Sequence, residues 1–247
     1  MPLSTDGFET SSADGPGGSG PGPIAPDGSA VAMYAALPAD DWTAAMLHQA
    51  LPAGGSVLDL GAGTGRLAMP LFALGHPVVA VDNSADMLAR IDAGVQTVCA
   101  DIAALNLPDR FAGVLLASFL LECSTIPQVD LLRVCRQHLA VDGQLLIQRQ
   151  PPEFYADLRP RTVRQGPWEM SVGEIRWLDA DRVAFTMDYR LGENHWSHRV
   201  VSRRLPDEEL PGLLAAAGLR LDRFLDERRS WLAARAHDGS LAAPGHQ

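Results

Sequence analysis

The stretch Val57-Leu58-Asp59-Leu60-Gly61-Ala62-Gly63-Thr64-Gly65-Arg66 constrains the chain more than any other. A short apolar run delivers the backbone into a loop with glycine at every second position. A helical pattern starts directly after it. Glycines there permit positive φ and let a ligand approach bare backbone. The first turn of the following helix offers unpaired N–H donors. Such a loop can also be a tight turn with no ligand, so its surroundings must decide.

Downstream, short apolar runs alternate with helical periodicity. Strands are predicted over Ser56–Leu60, Pro77–Val81, Val95–Ala100, Phe111–Ala117 and Gln144–Gln148. Helices are predicted over Arg66–Leu74, closed by Gly75, over Ser84–Ile91, capped by Ser84 or Asn83, and over Val129–Leu139. A further helix over Ala39–Leu51 precedes them, with Trp42, Ala45, Met46 and Ala50 on one face and Pro52 beyond it. Strand and helix in this rhythm imply βαβ units and a parallel sheet buried on both faces.

After Arg149 the texture changes. Trp168–Trp177, Val183–Leu191 and His195–Arg203 read as strands joined by turn-like segments, an antiparallel meander. Val183, Phe185, Met187, Tyr189 and Leu191 alternate with smaller or polar residues, so one face of that strand is wet. Gly173 interrupts the alternation as a bulge would. A helix near Asp207–Ala217 follows, with Pro211 kinking it or marking its start. Strands over Arg220–Leu225 and Ser230–Arg235 end the frame. The expected division is a disordered segment 1–29, an α/β core 30–149, an antiparallel cap 150–205, completion of the core 206–236 and a flexible tail 237–247. Segment 1–29 is rich in Gly, Pro and Ser and lacks the apolar groups that offset ordering entropy.

Composition removes several classes of function. The 247 residues carry 20 basic and 30 acidic groups, a net charge of −10. A phosphate backbone is repelled by such a surface, so no nucleic-acid partner is expected. All the basic residues are arginine, which excludes Schiff-base and P-loop lysine chemistry. Three cysteines, none in a CxxC pair, suggest neither a disulfide framework nor a thiolate metal site. No signal peptide or membrane-spanning run is read, so a cytoplasmic location without membrane attachment is expected. There is no GxSxG elbow for acyl transfer.

Spacing gives the glycine loop a ligand. Asp82 ends the next strand about 20 residues on, placed to accept both hydroxyls of an adenosine ribose. Asp101 ends the third strand, again at the carboxyl edge where open α/β sheets bind ligands. A dinucleotide loop would carry its third glycine where Arg66 stands. The carboxylate of Asp59, two residues before Gly61, is unwelcome beside a pyrophosphate but suits an ammonium group. The expected ligand is a zwitterionic nucleoside without phosphate.

From about Tyr34 to Arg235 the chain resembles the class I S-adenosylmethionine-dependent methyltransferases. DLGAGTGR resembles their glycine motif, VVAVDNSADML (78–88) their second motif, CADI (99–102) their third, FAGVLLASFLLEC their fourth and HLAVDGQLLIQ the fifth strand. The resemblance implies a doubly wound, mostly parallel seven-stranded sheet in the order 3-2-1-4-5-7-6 with its last strand antiparallel. It implies S-adenosylmethionine as cofactor, contacted by Asp59, Gly61, Ala62, Gly63 and Gly65. Asp82 would hold the ribose, Asn83 and Met87 would lie near the adenine with Asp101 and Ile102, and Ala117 and Ser118 would line the methionine end. No Asn-Pro-Pro-Tyr-type sequence follows the fourth strand, so the usual marker for amino-group methylation of nucleic-acid bases or protein amides is missing.

The partner expected is a small-molecule methyl acceptor with an O, N or C nucleophile, natural products among the candidates, acted on by a monomer or homodimer. Methylation of a peptide, protein or RNA is the alternative, as is cofactor binding without transfer. Candidates for the acceptor side are Glu122, just past the fourth strand, Tyr34 in a lid position, and His195 and His198. On a strand the two histidines point to opposite faces, so no metal site is expected. His195, beside the turn, is the one expected to reach back over the cleft.

Overall fold

The computed structural model describes residues 17–123, 125–151 and 153–237. Ahead of the glycine loop lie β1 (Gly17–Ser19), α1 (Val31–Ala36) and α2 (Asp41–Ala50). The α/β run comprises β2 (Val57–Leu60), α3 (Ala68–Ala73), β3 (Val78–Asp82), α4 (Ala85–Leu88), β4 (Gln96–Cys99), β5 (Phe111–Leu116), α5 (Leu120–Cys123), α6 (Gln128–Gln137) and β6 (Leu139–Gln148). Then come β7 (Arg161–Gln165), β8 (Trp168–Trp177), β9 (Arg182–Leu191) and β10 (Asn194–Arg203). The chain returns through α7 (Leu210–Ala216), β11 (Leu219–Phe224) and β12 (Trp231–Ala236).

The larger sheet runs β4-β3-β2-β5-β6-β12-β11. Its first five strands are parallel, and β12 enters antiparallel to β6. This is the expected 3-2-1-4-5-7-6 order. Alternation sends the apolar side chains of its central strands both ways. Leu58, Leu60, Val114, Leu116, Leu145 and Ile147 join Leu131, Leu132 and Leu210 on one face. Val57, Ala80, Leu115 and Leu146 join Ala44, Leu47 and Leu71 on the other. Helices therefore cover both faces, and the central strands need no polar side.

Several expectations shift. In α2 the inward stripe is Ala44, Leu47 and the flanking Leu51, and Trp42 is 71% exposed rather than buried. Pro211 lies in the first turn of α7, where the absent N–H costs nothing, so it marks a start and not a kink.

The smaller sheet is wholly antiparallel, in the order β1-β10-β9-β8-β7. The three expected strands are present. The pairing of β8 with β9 slips between Gly173 and Arg176, the bulge expected at Gly173. One face packs Val172, Val183 and Phe185 under Tyr155, and Trp196 under Ala30 and Met33 of the α1 region.

The expected disorder of segment 1–29 does not hold over residues 17–29. Gly17–Ser19 pairs with Ser197–Arg199 at the sheet edge. The Trp196 indole donates to the Pro21 carbonyl at 2.9 Å. Ala25 and Ser29 are buried. The cap supplies the apolar partner that the segment lacks by itself. Residues 1–16 and 238–247, covering most of the expected flexible tail, lie outside the described residues.

Arg149, 1% exposed, ties the two sheets where the chain leaves the core. Its guanidinium donates to Asp207 Oδ1 at 2.5 Å and to the Leu205 carbonyl at 2.6 Å. The exit and the return of the cap are thus joined by one buried cation.

Candidate active site

The crevice is built by the carboxyl ends of β2, β3 and β5. Gly61, Gly63 and Gly65 have φ of 72°, 55° and 80°. These values cost an L side chain energy, so glycine holds the loop. At Gly65 a Cβ would stand 2.9 Å from Ile91, so that glycine is also needed for packing. At Gly63 nothing lies within 4 Å, so bare backbone faces open space. The N–H groups of Gly61 and Ala62 both bond the Val81 carbonyl at 2.9 Å, which fixes the loop on β3.

Three carboxyl groups crowd this loop. Asp82 accepts from the Gly63 N–H and the Ser84 N–H, both at 2.8 Å. A carboxylate offers about four lone-pair sites, so two such bonds leave room for a ligand. Asp59 is 2% exposed, and its Oδ1 has no hydrogen-bond partner. Burial, with the Asp82 charge beside it, pushes the Asp59 carboxyl up to about 7. Burial also raises Asp82, opposed by its backbone donors and reinforced by Asp27. An anionic pyrophosphate would meet repulsion here, whereas a cation would relieve it.

The N-terminal segment roofs the crevice. Thr64 Oγ1 donates to the Tyr34 carbonyl at 3.3 Å, and the Arg66 guanidinium donates to the Pro38 carbonyl at 2.8 Å. The Tyr34 side chain packs with Ala25, Val31 and Met87. Met87 is therefore buried under the lid, while Asn83 is exposed beside it. At the far edge, Asp101 is exposed and caps its own turn by accepting from the Ala103 N–H at 2.9 Å. Ile102 is buried in the core.

On the other side, Ala117 is buried and Ser118 is exposed. Ser118 and Phe119 take φ of 53° and 58°, left-handed backbone at non-glycine residues. Each costs about 1–3 kcal/mol, strain that collects at functional sites. The Ser118 N–H is held by Gln148 Oε1 at 2.8 Å. Leu120 then stands 3.1 Å from where a Gly61 Cβ would be, so α5 starts against the glycine loop.

Glu122, on α5, is 3% exposed. Its Oε2 accepts from the Gln150 N–H at 2.7 Å, and its Oε1 has no partner. Burial lifts its carboxyl to about 7 despite that N–H and the Arg149 charge. Tyr155 stands near it and bonds Ser202 Oγ at 2.8 Å.

The histidines separate. His195 lies on the face of β10 opposite Trp196 and pairs with Asp188 Oδ1 at 2.8 Å, away from the lid. His198 shares the Trp196 face, opposite Met187, with Nε2 3.2 Å from the Asp27 carbonyl. The two imidazoles thus lie on opposite faces of β10, as the strand geometry implies. Among the described residues no group of His, Cys, Asp and Glu is arranged to hold a metal ion.

Sequence reasoning missed Asp27, because it lay in the segment read as disordered. It missed the Ser118-Phe119 conformation, because no glycine marks it.

Residues 57–143 match the family described as a methyltransferase domain. A search of curated protein sequences finds no significant match. Among solved structures the chain is similar to the CcbJ methyltransferase from Streptomyces caelestis, at 24% identity over 82% of this chain and 92% of that one, with a TM-score of 0.67. It is similar to the sugar N-methyltransferase KedS8 from Streptoalloteichus, at 20% identity over 81% and 87%, TM-score 0.63. It is also similar to CalS10, an amino pentose methyltransferase from Micromonospora echinaspora bound to S-adenosylmethionine, at 21% identity over 84% and 92%, TM-score 0.60. The likeness to these methyltransferase structures is one of fold, and the methyltransferase-domain match runs from β2 into β6.

Proposed function

We propose that the protein transfers a methyl group from S-adenosylmethionine to an O, N or C nucleophile on a small molecule. The observation that carries this is the crevice around Gly63, where the buried Asp59 Oδ1 lacks a partner beside bare glycine backbone. A ligand with an ammonium and a sulfonium supplies the missing positive charge, and the residues present fit it. Asp59 faces the ammonium and Asp82 accepts the ribose hydroxyls. Tyr34 and Met87 close the adenosine end, with Asn83, Asp101 and Ile102 at its edge. Ala117 and Ser118 border the methionine end.

When bound, S-adenosylmethionine would supply an activated methyl carbon on its sulfonium, transferable to the acceptor's lone pair with the electron pair of the broken carbon–sulfur bond left on sulfur. The protein aligns the partners, a contribution of about 7–11 kcal/mol. Where the nucleophile carries a proton, Glu122 takes it. A carboxyl group at about 7 is divided between its acid and base forms at neutral pH. His198, which shares the Trp196 face of β10, is a second candidate proton acceptor, and His195, on the opposite face, is held by Asp188. Solved neighbours described as a sugar N-methyltransferase and an amino pentose methyltransferase support a small acceptor. The net charge of −10 argues against nucleic acid. The unpaired Cys99, Cys123 and Cys135 agree with a reducing compartment such as the cytoplasm. No described helix is long and apolar enough to cross a membrane.

The test pairs calorimetry with S-adenosylhomocysteine and mass spectrometry of small-molecule extracts incubated with protein and S-adenosylmethionine. Binding plus a product heavier by one methyl is expected. Binding without any methylated product would favour cofactor sensing, and no binding would remove the proposal.

A further inference from the structure

A cleft of about 690 Å³ opens between the core and the outer part of the cap. Its size falls within the range of small-molecule sites. The core side contributes Glu122, Cys123 and Gln128, and the cap side contributes Arg176, Trp177, Arg182 and Arg203. Helix α5 runs between the crevice and the cleft: Leu120 stands against the glycine loop, and Glu122, two residues on and about 3 Å along the helix axis, lines the cleft.

The charge of the lining runs against the rest of the molecule. The chain carries 30 acidic and 20 basic residues, yet three arginines and one carboxyl group are the charged residues here. That one is the buried Glu122, whose Oε1 is unpartnered. Arg203 donates to Gln128 Oε1 at 2.9 Å, and Arg182, at the start of β9, forms an ion pair with Asp179 Oδ2 at 2.7 Å. A guanidinium has five donors in a planar fork that matches an oxyanion, so one bond positions the group without using it up. Trp177, 45% exposed, offers a flat apolar wall beside them.

We propose that this cleft is the acceptor site and that the acceptor carries an oxyanion, a carboxylate or a phosphate, gripped by the arginines of the cap while its nucleophile points toward Glu122. The name acceptor rests on the methyl-transfer reading. The anion preference rests on the cleft alone.

The probes are benzoate, phenyl phosphate and benzamide, titrated by ligand-observed NMR against the protein with and without S-adenosylhomocysteine. At least one oxyanion should bind tenfold or more tightly than benzamide, and which of the two binds tighter identifies the group. Arg182→Gln and the double variant R182Q/R203Q should lose that preference while S-adenosylhomocysteine affinity and melting temperature hold. Arg182, exposed at the start of β9, keeps the test available if the double variant fails to fold. Equal binding of benzamide, no binding of either oxyanion, or a preference that survives Arg182→Gln in a folded protein would overturn the proposal. Loss of S-adenosylhomocysteine binding in the unmutated protein would instead remove the methyl-transfer reading and leave the anion measurement standing.

Discussion

The two sheets solve the same backbone problem in opposite ways. In the core, every residue of β2 is buried, and alternate side chains enter two separate apolar clusters. In the cap, β7 is exposed along its whole length, and β8 keeps only Val172 buried. The core therefore fixes geometry, and its strand ends carry the glycine loop. The cap retains polar and charged faces that a change of substrate can alter at little cost to the fold.

The sharpest break in this comparison would come at the seam between them. Glu122 belongs to the core by chain position and to the cap by surroundings. Glu122→Gln should lower kcat by about 100-fold or more for an acceptor that must lose a proton. The unmutated enzyme should gain activity as pH rises through about 7, because the base form then predominates, and the variant should lose that limb. His198→Gln is the control. If that variant loses the limb and Glu122→Gln keeps it, the base is the histidine.

The core half of the comparison makes two predictions. Gly63→Val should abolish cofactor binding while the apo protein still folds, because its Cβ enters open space and only the positive φ penalises it. A wild-type rise in melting temperature on adding S-adenosylhomocysteine to that variant would contradict it. Asp82→Ala should weaken the cofactor by more than tenfold, since charge-assisted hydrogen bonds contribute about 1.5–3 kcal/mol each. Calorimetry reads this, and an unchanged Kd would take Asp82 out of the site.

Legibility divides along the same line. The core could be read because its strands are continuous apolar runs and its glycine loop is followed by Asp82 about 20 residues on, at the end of the next strand. Leu58, Val81 and Leu116 carry their burial in their identity, and the strand order came with the resemblance. In the cap, Trp168–Trp177 was legible by its alternation, but β7, Arg-Thr-Val-Arg-Gln, has too little apolar content to signal a strand. The β1 strand, Gly-Gly-Ser, exists only because β10 offers an edge. The acidic half of the crevice was visible at Asp59 and Asp82 and not at Asp27. The arginines of the cleft come from three places in the sequence that share no local pattern.

The joint between the halves gives the next smaller effect. Arg149→Met should destabilise the protein by about 3 kcal/mol, since Asp207 and the Leu205 carbonyl lose a buried partner. Chemical denaturation checks it. A loss below about 0.5 kcal/mol would mean that the cap's return does not depend on this cation. The smallest effect concerns the N-terminal segment. Removing residues 1–16 should leave cofactor affinity unchanged, whereas removing 1–30 should weaken it, because Asp27, Ser29 and Ala30 support the lid at Tyr34. Equal affinity of the two truncations would detach the segment from the site.

The central claim is that the crevice is built for a cation, and Asp59 tests it most directly. Its carboxyl stands at about 7 in the ligand-free fold, well above its ordinary value, so below that pH the group holds a proton that a cationic ligand must displace. Calorimetric titration of S-adenosylmethionine from about pH 5 to about pH 7.5 should show the Kd falling by up to about tenfold per pH unit, with the slope flattening near 7. One proton should be released on binding at the acid end, measurable from the dependence of the heat on buffer ionisation. Asp59→Asn should bind weakly with a Kd that no longer follows pH over this range. A wild-type Kd that stays constant across the range, or an Asp59→Asn variant that binds as tightly as the parent, would contradict the account.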